Sequence, residues 1–242
     1  MNRPIDLVRI AQALTVIHTQ GSHPNDIHTA NAYLAEMETA EGFAGGLLEI
    51  YAGSEAGLQL SAVLLLGNVV KRGWAGRGRG KGTLDRESIK VGVIKASLLH
   101  EMRHYKHFNA LLRPIVRSIY PGSYLELQTF VVDSLMDIVR LGQNTPEQLL
   151  SNGYVTPVLS MVKGVLKEYS NKRIAHCETD FKDYIVPVVN AGVQLSALLQ
   201  PLIKQSLGHA GVDVALLRIA RKADKIILYG LLSMPTSYQS EA

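Results

Sequence analysis

The sequence predicts an all-α protein, an α–α superhelix of about five stacked helical hairpins, and three observations carry that expectation. Apolar residues recur at steps of three and four from end to end, and no strand signal of any length survives. The breaks between periodic stretches are short and carry Gly, Pro, Asn and Ser. Composition agrees. Apolar residues make up 47% of the chain, led by Leu, Ile, Val and Ala, while aromatics make up only 6%, which suits helix-on-helix packing. With 19% charged residues, the chain is neither disordered nor fibrous in character.

Leu7, Ile10, Leu14 and Ile17 stripe a first helix, which Gly21-Ser22-His23-Pro24-Asn25-Asp26 interrupts. Asn25 or Asp26 is the expected cap of the next. Ala30, Tyr33, Leu34 and Met37 stripe that second helix, which should end near Glu41-Gly42; a short third spans 43–51 and a fourth about 55–74. Residues 76–82 form a glycine- and arginine-rich loop that no helix would tolerate. Ile89, Val93, Ala96 and Leu99 mark a further helix. Phe108, Leu111, Leu112, Ile115 and Ile119 mark another, interrupted at Pro114 and ended by Pro121-Gly122. The stretch from Leu127 to Leu141 follows and closes at Gly142-Gln143-Asn144. Thr145-Pro146-Glu147 supplies a cap and a first-turn proline for the next helix, with a break expected at Pro157 and an end near Tyr169. Two last helical regions lie near 181–204 and 212–232, before a polar tail over 235–242. About ten helices paired in units of roughly forty residues have the period of HEAT-type or armadillo-like repeats; a globular bundle shares the periodicity.

The single cysteine, Cys177, excludes an internal disulfide framework and a cysteine-based zinc site within one chain, which points to a nuclear or cytoplasmic setting. The first residues turn at once into an amphipathic pattern rather than a secretory signal. Residues 185–203 are uncharged and long enough to cross a bilayer, but Pro187, Asn190, Gly192, Gln194, Gln200 and Pro201 make insertion costly. A core helix, broken at a proline, is the expectation. The net charge of +4 is unevenly placed. Lys71, Arg72, Arg77, Arg79 and Lys81 fall within one short stretch that has no acid, a local patch that attracts an acidic partner.

Three motifs invite chemistry. His100-Glu101-Met102-Arg103-His104 has the spacing that, on a helix, places two imidazoles on one face for zinc with Glu101 as base, and Glu126 lies downstream as a third ligand. A zinc-dependent hydrolase built on this segment is therefore one alternative. Arg103 inside the motif, with Lys106 and His107 beside it, favours instead a solvated, basic helix end with its histidines near the negative end of the helix dipole. The loop holding Arg77, Arg79 and Lys81 is similar to arginine–glycine segments that bind RNA, yet it lacks the Ser or Thr after Gly-Lys and the preceding strand of a nucleotide-binding loop. A basic loop between repeats is the expected role. His176 and Cys177 are sequence neighbours and so point in different directions on a helix, which makes no nucleophile–base pair.

One region carries a family resemblance. Ala30-Asn31-Ala32-Tyr33-Leu34 through Gly42-Phe43, then Leu47-Leu48-Glu49-Ile50, then Leu60-Ser61-Ala62-Val63-Leu64-Leu65-Leu66-Gly67-Asn68-Val69-Val70-Lys71-Arg72-Gly73-Trp74, resembles the amino-terminal domain of the importin-β (karyopherin) superfamily. The matching positions are Ala30, Leu34, Gly42, Phe43, Ala62, Leu66, Asn68 and Trp74, and Tyr120-Pro121-Gly122-Ser123-Tyr124 is similar to the turn that closes the family's third repeat. The departures are Leu58-Gln59 where an arginine is frequent, Gly67 where a lysine precedes the asparagine, and Tyr124 in place of tryptophan. The resemblance divides the chain into importin-like repeats over 1–75, the basic loop over 76–84, further HEAT-like repeats over 85–234 and the tail. It implies a nuclear transport receptor, not an enzyme, that binds the small GTPase Ran in its GTP form through Asn68, Lys71, Arg72 and Trp74. Cargo proteins and nucleoporins are the other implied partners, in nucleus and cytoplasm. No cofactor, metal, nucleic acid or membrane insertion is expected. A HEAT scaffold unrelated to transport is the other binding alternative.

Overall fold

A computed structural model describes residues 5–74, 85–119, 124–171, 179–207 and 213–234. Arg77, Arg79 and Lys81, the His176-Cys177 pair, the Tyr120–Tyr124 turn short of Tyr124 itself, and the tail lie outside them. Eleven α-helices and a single short turn of tighter helix make up the described residues, with no strand among them: the fold is all-α. The chain divides into two compact units, Met1–Ser118 and Ile119–Ala242.

In the first unit, α1 (Leu7–His18) is capped by Asp6, whose carboxylate accepts from the Arg9 N–H at 3.0 Å. α2 (Pro24–Met37) is capped by His23 rather than by Asn25 or Asp26, its imidazole Nδ1 accepting from the Asn25 N–H at 3.3 Å. Pro24 fixes that choice, since proline is favoured at the first helical position, where a missing N–H costs nothing. Gly42, at φ 82°, makes the left-handed turn into α3 (Phe43–Gly53). α4 (Ala56–Trp74), α5 (Arg86–Ser97) and α6 (Tyr105–Ser118) complete the unit. α1 packs on α2, α3 on α4, and α5 on α6; α3 also packs on both α1 and α5, and α4 on both α1 and α6. The middle hairpin is thus covered from two sides, and its Leu47, Leu66 and Val70 are completely buried. Pro114 sits inside α6 without ending it, because Leu111, Leu112, Ile115 and Val116 around it bury one continuous apolar face.

The second unit holds α7 (Leu125–Asn144), the one-turn α8 (Gln148–Ser151), α9 (Val155–Ser170), α10 (Thr179–Leu207) and α11 (Val214–Ser233). α7 packs on α9 and α10, α11 packs on α9 and α10, and α8 tucks against α7 and α11. Here Thr145 closes α7 instead of opening the next helix: its N–H and its hydroxyl both donate to the Leu141 carbonyl, at 2.8 and 3.3 Å. The break expected at Pro157 falls earlier, at Asn152-Gly153, and Pro157 occupies the first turn of α9, where its lost N–H has no intrahelical partner to forfeit. α10 runs unbroken through Pro187 and Pro201. It is long and apolar enough to cross a membrane by length and composition, yet it buries Tyr184, Ile185, Val188, Leu195 and Leu199 within the unit as a core helix. Burial of that face offsets the two forfeited hydrogen bonds.

Two glycines report on packing in opposite ways. A Cβ on Gly230 of α11 would lie 2.5 Å from Val189 Cγ2 of α10, whereas one on Gly67 of α4 meets nothing within 4 Å. Gly230→Ala is therefore expected to lose about 1–3 kcal/mol through overpacking, and Gly67→Ala to gain about 0.5–1 kcal/mol through helix propensity. Urea unfolding followed by circular dichroism checks this; shifts of the same sign in both variants would refute the packing described.

Candidate functional site

α4 divides its residues between two faces. Ala62, Leu66, Val70 and Trp74, at steps of four, are buried, while Leu60, Leu64, Asn68 and Lys71 are exposed on another side. Trp74 is only 4% exposed. Its indole N–H donates to the Ser118 hydroxyl at the end of α6, and the Arg86 guanidinium lies over its ring, 5.4 Å from the centroid. Trp74 is therefore a joint between α4, α5 and α6, enclosed rather than presented to a partner. Arg72 forms a two-pronged ion pair with Glu38, just past the end of α2, with both N–O distances 2.7 Å. Asn68 and Lys71 remain on the outer face.

That outer face forms one wall of an open groove of about 780 Å³ whose other wall is α6. Val63, Leu64 and Leu111 supply apolar lining, Gly67 leaves the α4 wall without a side chain, and Asn68 and Lys71 stand at its polar end. From α6 come His107, Arg113, Pro114 and Arg117. Lys71, Arg113 and Arg117 are the lysine and arginine side chains of the lining, which holds no aspartate or glutamate among the described residues. Pro114 also lacks the N–H that would bind the Ala110 carbonyl on the same wall. The lining thus sets apolar side chains beside basic ones.

The family resemblance names Asn68 and Lys71; Arg113, Arg117 and His107, which line the same groove, are not among the residues it names. Their signal was present, since 110, 113, 114 and 117 follow helical spacing on one face of α6. What the sequence lacked was the pairing of that face with α4, which only tertiary packing provides.

The His100–His104 segment takes a form that corrects its expected helical geometry. α5 ends at Ser97, and His100, Glu101 and Met102 all have positive φ (52°, 55° and 56°), a left-handed turn made without glycine. The i, i+4 relation that would bring both imidazoles to one face requires right-handed helix, so it is lost. Both rings turn to Tyr51 of α3 instead. The His100 Nε2–H donates to the Tyr51 carbonyl at 3.0 Å, and His104 Nδ1 lies 3.3 Å from the Tyr51 hydroxyl. Tyr51 also meets the His100, His104 and Phe108 rings edge-on, at 5.2, 5.7 and 5.0 Å between centroids. His104 is 8% exposed, which also overturns the expectation of a solvated helix end. Among the described residues no three His, Cys, Asp or Glu side chains gather as a metal site, and Glu126 stands in the first turn of α7 in the other unit.

Burial, and then the positive charges of His107, Arg103 and His100, hold the His104 imidazole below the ordinary histidine pKa. Burial also raises the Tyr51 phenol, with Arg103 opposing it.

Comparison with known proteins gives no match: no family model, no curated protein and no solved structure is similar to this chain. The class that fold and site define is thus an all-α protein with a basic, partly apolar groove.

Two outcomes follow from the turn. Because His104 is held neutral in the fold, the unfolded chain binds the extra proton first, so stability falls as pH drops below about 6.5 and continues to fall until His104 is protonated in the folded state. Urea midpoints at pH 7.5 and 5.0 should therefore differ less in His104→Asn than in the parent chain; an identical pH slope in both would reject the assignment. Glu101→Gly relieves a left-handed residue and is expected to raise stability by about 0.5–1 kcal/mol, read from the same unfolding curves.

Proposed function

We propose that this protein is a receptor of nuclear transport, built of HEAT-type helical hairpins, whose first unit binds the small GTPase Ran in its GTP form in nucleus and cytoplasm. The observation that supports it most directly is the position of Asn68 and Lys71. Two of the α4 residues to which the importin-β resemblance assigns Ran contact stand exposed at the edge of a basic groove. Arg72, forked onto Glu38, ties the end of α4 to α2 beside them.

The repeat architecture draws support from the first unit. Any two stacked hairpins make a four-helix cluster, so a pair alone is equally a bundle and a solenoid. A third hairpin discriminates between them. In a solenoid it packs on one side of the middle pair and leaves the first pair on the other, as α5–α6 and α1 do around α3–α4. A receptor of this kind reads nucleotide state without chemistry of its own, because a GTPase switch segment is ordered only while the γ-phosphate is present. Cargo proteins and nucleoporins are the other partners of this reading.

Titration with Ran carrying a non-hydrolysable GTP analogue, and in parallel with Ran carrying GDP, tests the proposal. The GTP form is expected to bind at least about tenfold more tightly, and Lys71→Glu to weaken it by a similar factor. Equal or absent binding by a folded, helical sample would remove the transport function and leave a scaffold that binds other partners.

A further inference from the structure

The last helix of the second unit has two faces. Leu216, Ile219, Ala223 and Ile226 are buried where α11 packs on α9 and α10. On its other side Val214, Leu217, Arg221, Asp224, Leu228 and Leu232 follow one another at steps of three and four. The four apolar members of that stripe are between 46% and 60% exposed. A single exposed leucine is ordinary, but four apolar side chains in line, interrupted by one pair of opposite charges, form a surface that association would cover.

The order of the stripe is symmetric. Leu217 and Leu228 lie equally far from the point between Lys222 and Ala223, and so do Arg221 and Asp224; Val214 and Leu232 match to within one residue. A second α11, laid antiparallel about a two-fold axis at that level, brings Leu217 level with Leu228 and Arg221 level with Asp224, twice over. A parallel pair would instead set Arg221 against Arg221 and Asp224 against Asp224. Asp224 also decides against other occupants. An acidic peptide or a nucleic acid strand would meet its carboxylate in the middle of the stripe, and a bilayer would have to desolvate it. The Ser196 hydroxyl donates to one Asp224 oxygen at 3.3 Å, which leaves further acceptor sites for a guanidinium. Arg218 and Lys225 stand at one margin of the stripe, where a long stem can lie along apolar surface while its charge stays in water. We propose that this chain forms a two-fold homodimer in which α11 packs antiparallel on α11 of a second copy, with Leu217 against the partner's Leu228 and Arg221 paired with the partner's Asp224. Such a dimer uses the second unit and does not require Ran binding by the first.

Sedimentation equilibrium of the full chain tests the dimer. The average mass is expected to rise from one chain towards two between roughly 1 and 100 μM, as a small interface implies. Leu228→Glu should stay at the mass of one chain throughout, with unchanged helical circular dichroism. Arg221→Asp and Asp224→Arg should each raise the dissociation constant about tenfold or more, because each sets like charges level across the axis. Mixed together, those two variants should form a heterodimer about as tight as the parent, and the chain carrying both exchanges should regain self-association. An antiparallel two-fold pairing of these positions predicts that pattern, and a parallel one does not. A single-chain mass at every concentration, undiminished association of Leu228→Glu, or failure of the two folded charge variants to associate when mixed would each overturn the inference.

Discussion

Three consecutive residues with side chains, His100 to Met102, stand in the left-handed region of backbone space, and the first unit is arranged so that they stay there. Each costs about 1–2 kcal/mol relative to right-handed backbone, so the turn persists only because surrounding contacts over-determine it. Tyr51 supplies most of them. It is 1% exposed, its carbonyl accepts from His100, its hydroxyl meets His104, and its ring touches three others. Aromatic pairs of this kind contribute about 0.5–1.5 kcal/mol each, and Met102, completely enclosed, adds the burial of a large apolar side chain. The gains are of the same size as the strain. One tyrosine on α3 thereby sets the corner between α5 and α6.

That corner decides where α6 goes, and α6 is half of the groove. Phe108, which completes the contacts of Tyr51, lies one residue from His107, and His107 lines the groove. From there the helix advances so that Arg113 and Arg117 face α4 while Leu111, Leu112 and Ile115 enter the core. At the far end the indole of Trp74 holds Ser118 and closes the pair of helices. The groove is thus fixed at both ends by enclosed aromatic side chains, and its open middle is where small residues stand: Gly67 on one wall, Ala110 and Pro114 on the other.

Helices were legible in the sequence because periodicity is a local property. The start at Phe43, the end at Trp74 and the stripe of α7 fall where the apolar spacing puts them. Capping and breaking were less legible, because the same residue serves either end of a helix. Thr145 has the side chain of an N-cap but closes α7, and Pro157 reads as a breaker but sits in a first turn. The histidine motif failed for a stronger reason. A spacing of four has chemical meaning only on right-handed helix, and nothing local in His100-Glu101-Met102 announces left-handed backbone, since no glycine or asparagine is present. Contacts with Tyr51, forty-nine residues away from His100, impose it.

Lys71 and Arg72 show the same limit at the site itself. As sequence they are one basic pair, and the family resemblance assigns both to a partner. On a helix, neighbours in sequence point in different directions, so they meet different surroundings. Arg72 reaches the end of α2 and is neutralised by a two-pronged pair with Glu38. Lys71 lines the groove between α4 and α6 together with Arg113 and Arg117. The two neighbours thus end in different surroundings, a distribution set by helix geometry rather than by the count of basic residues. Arg72 contributes by fixing the end of the helix from which Lys71 projects.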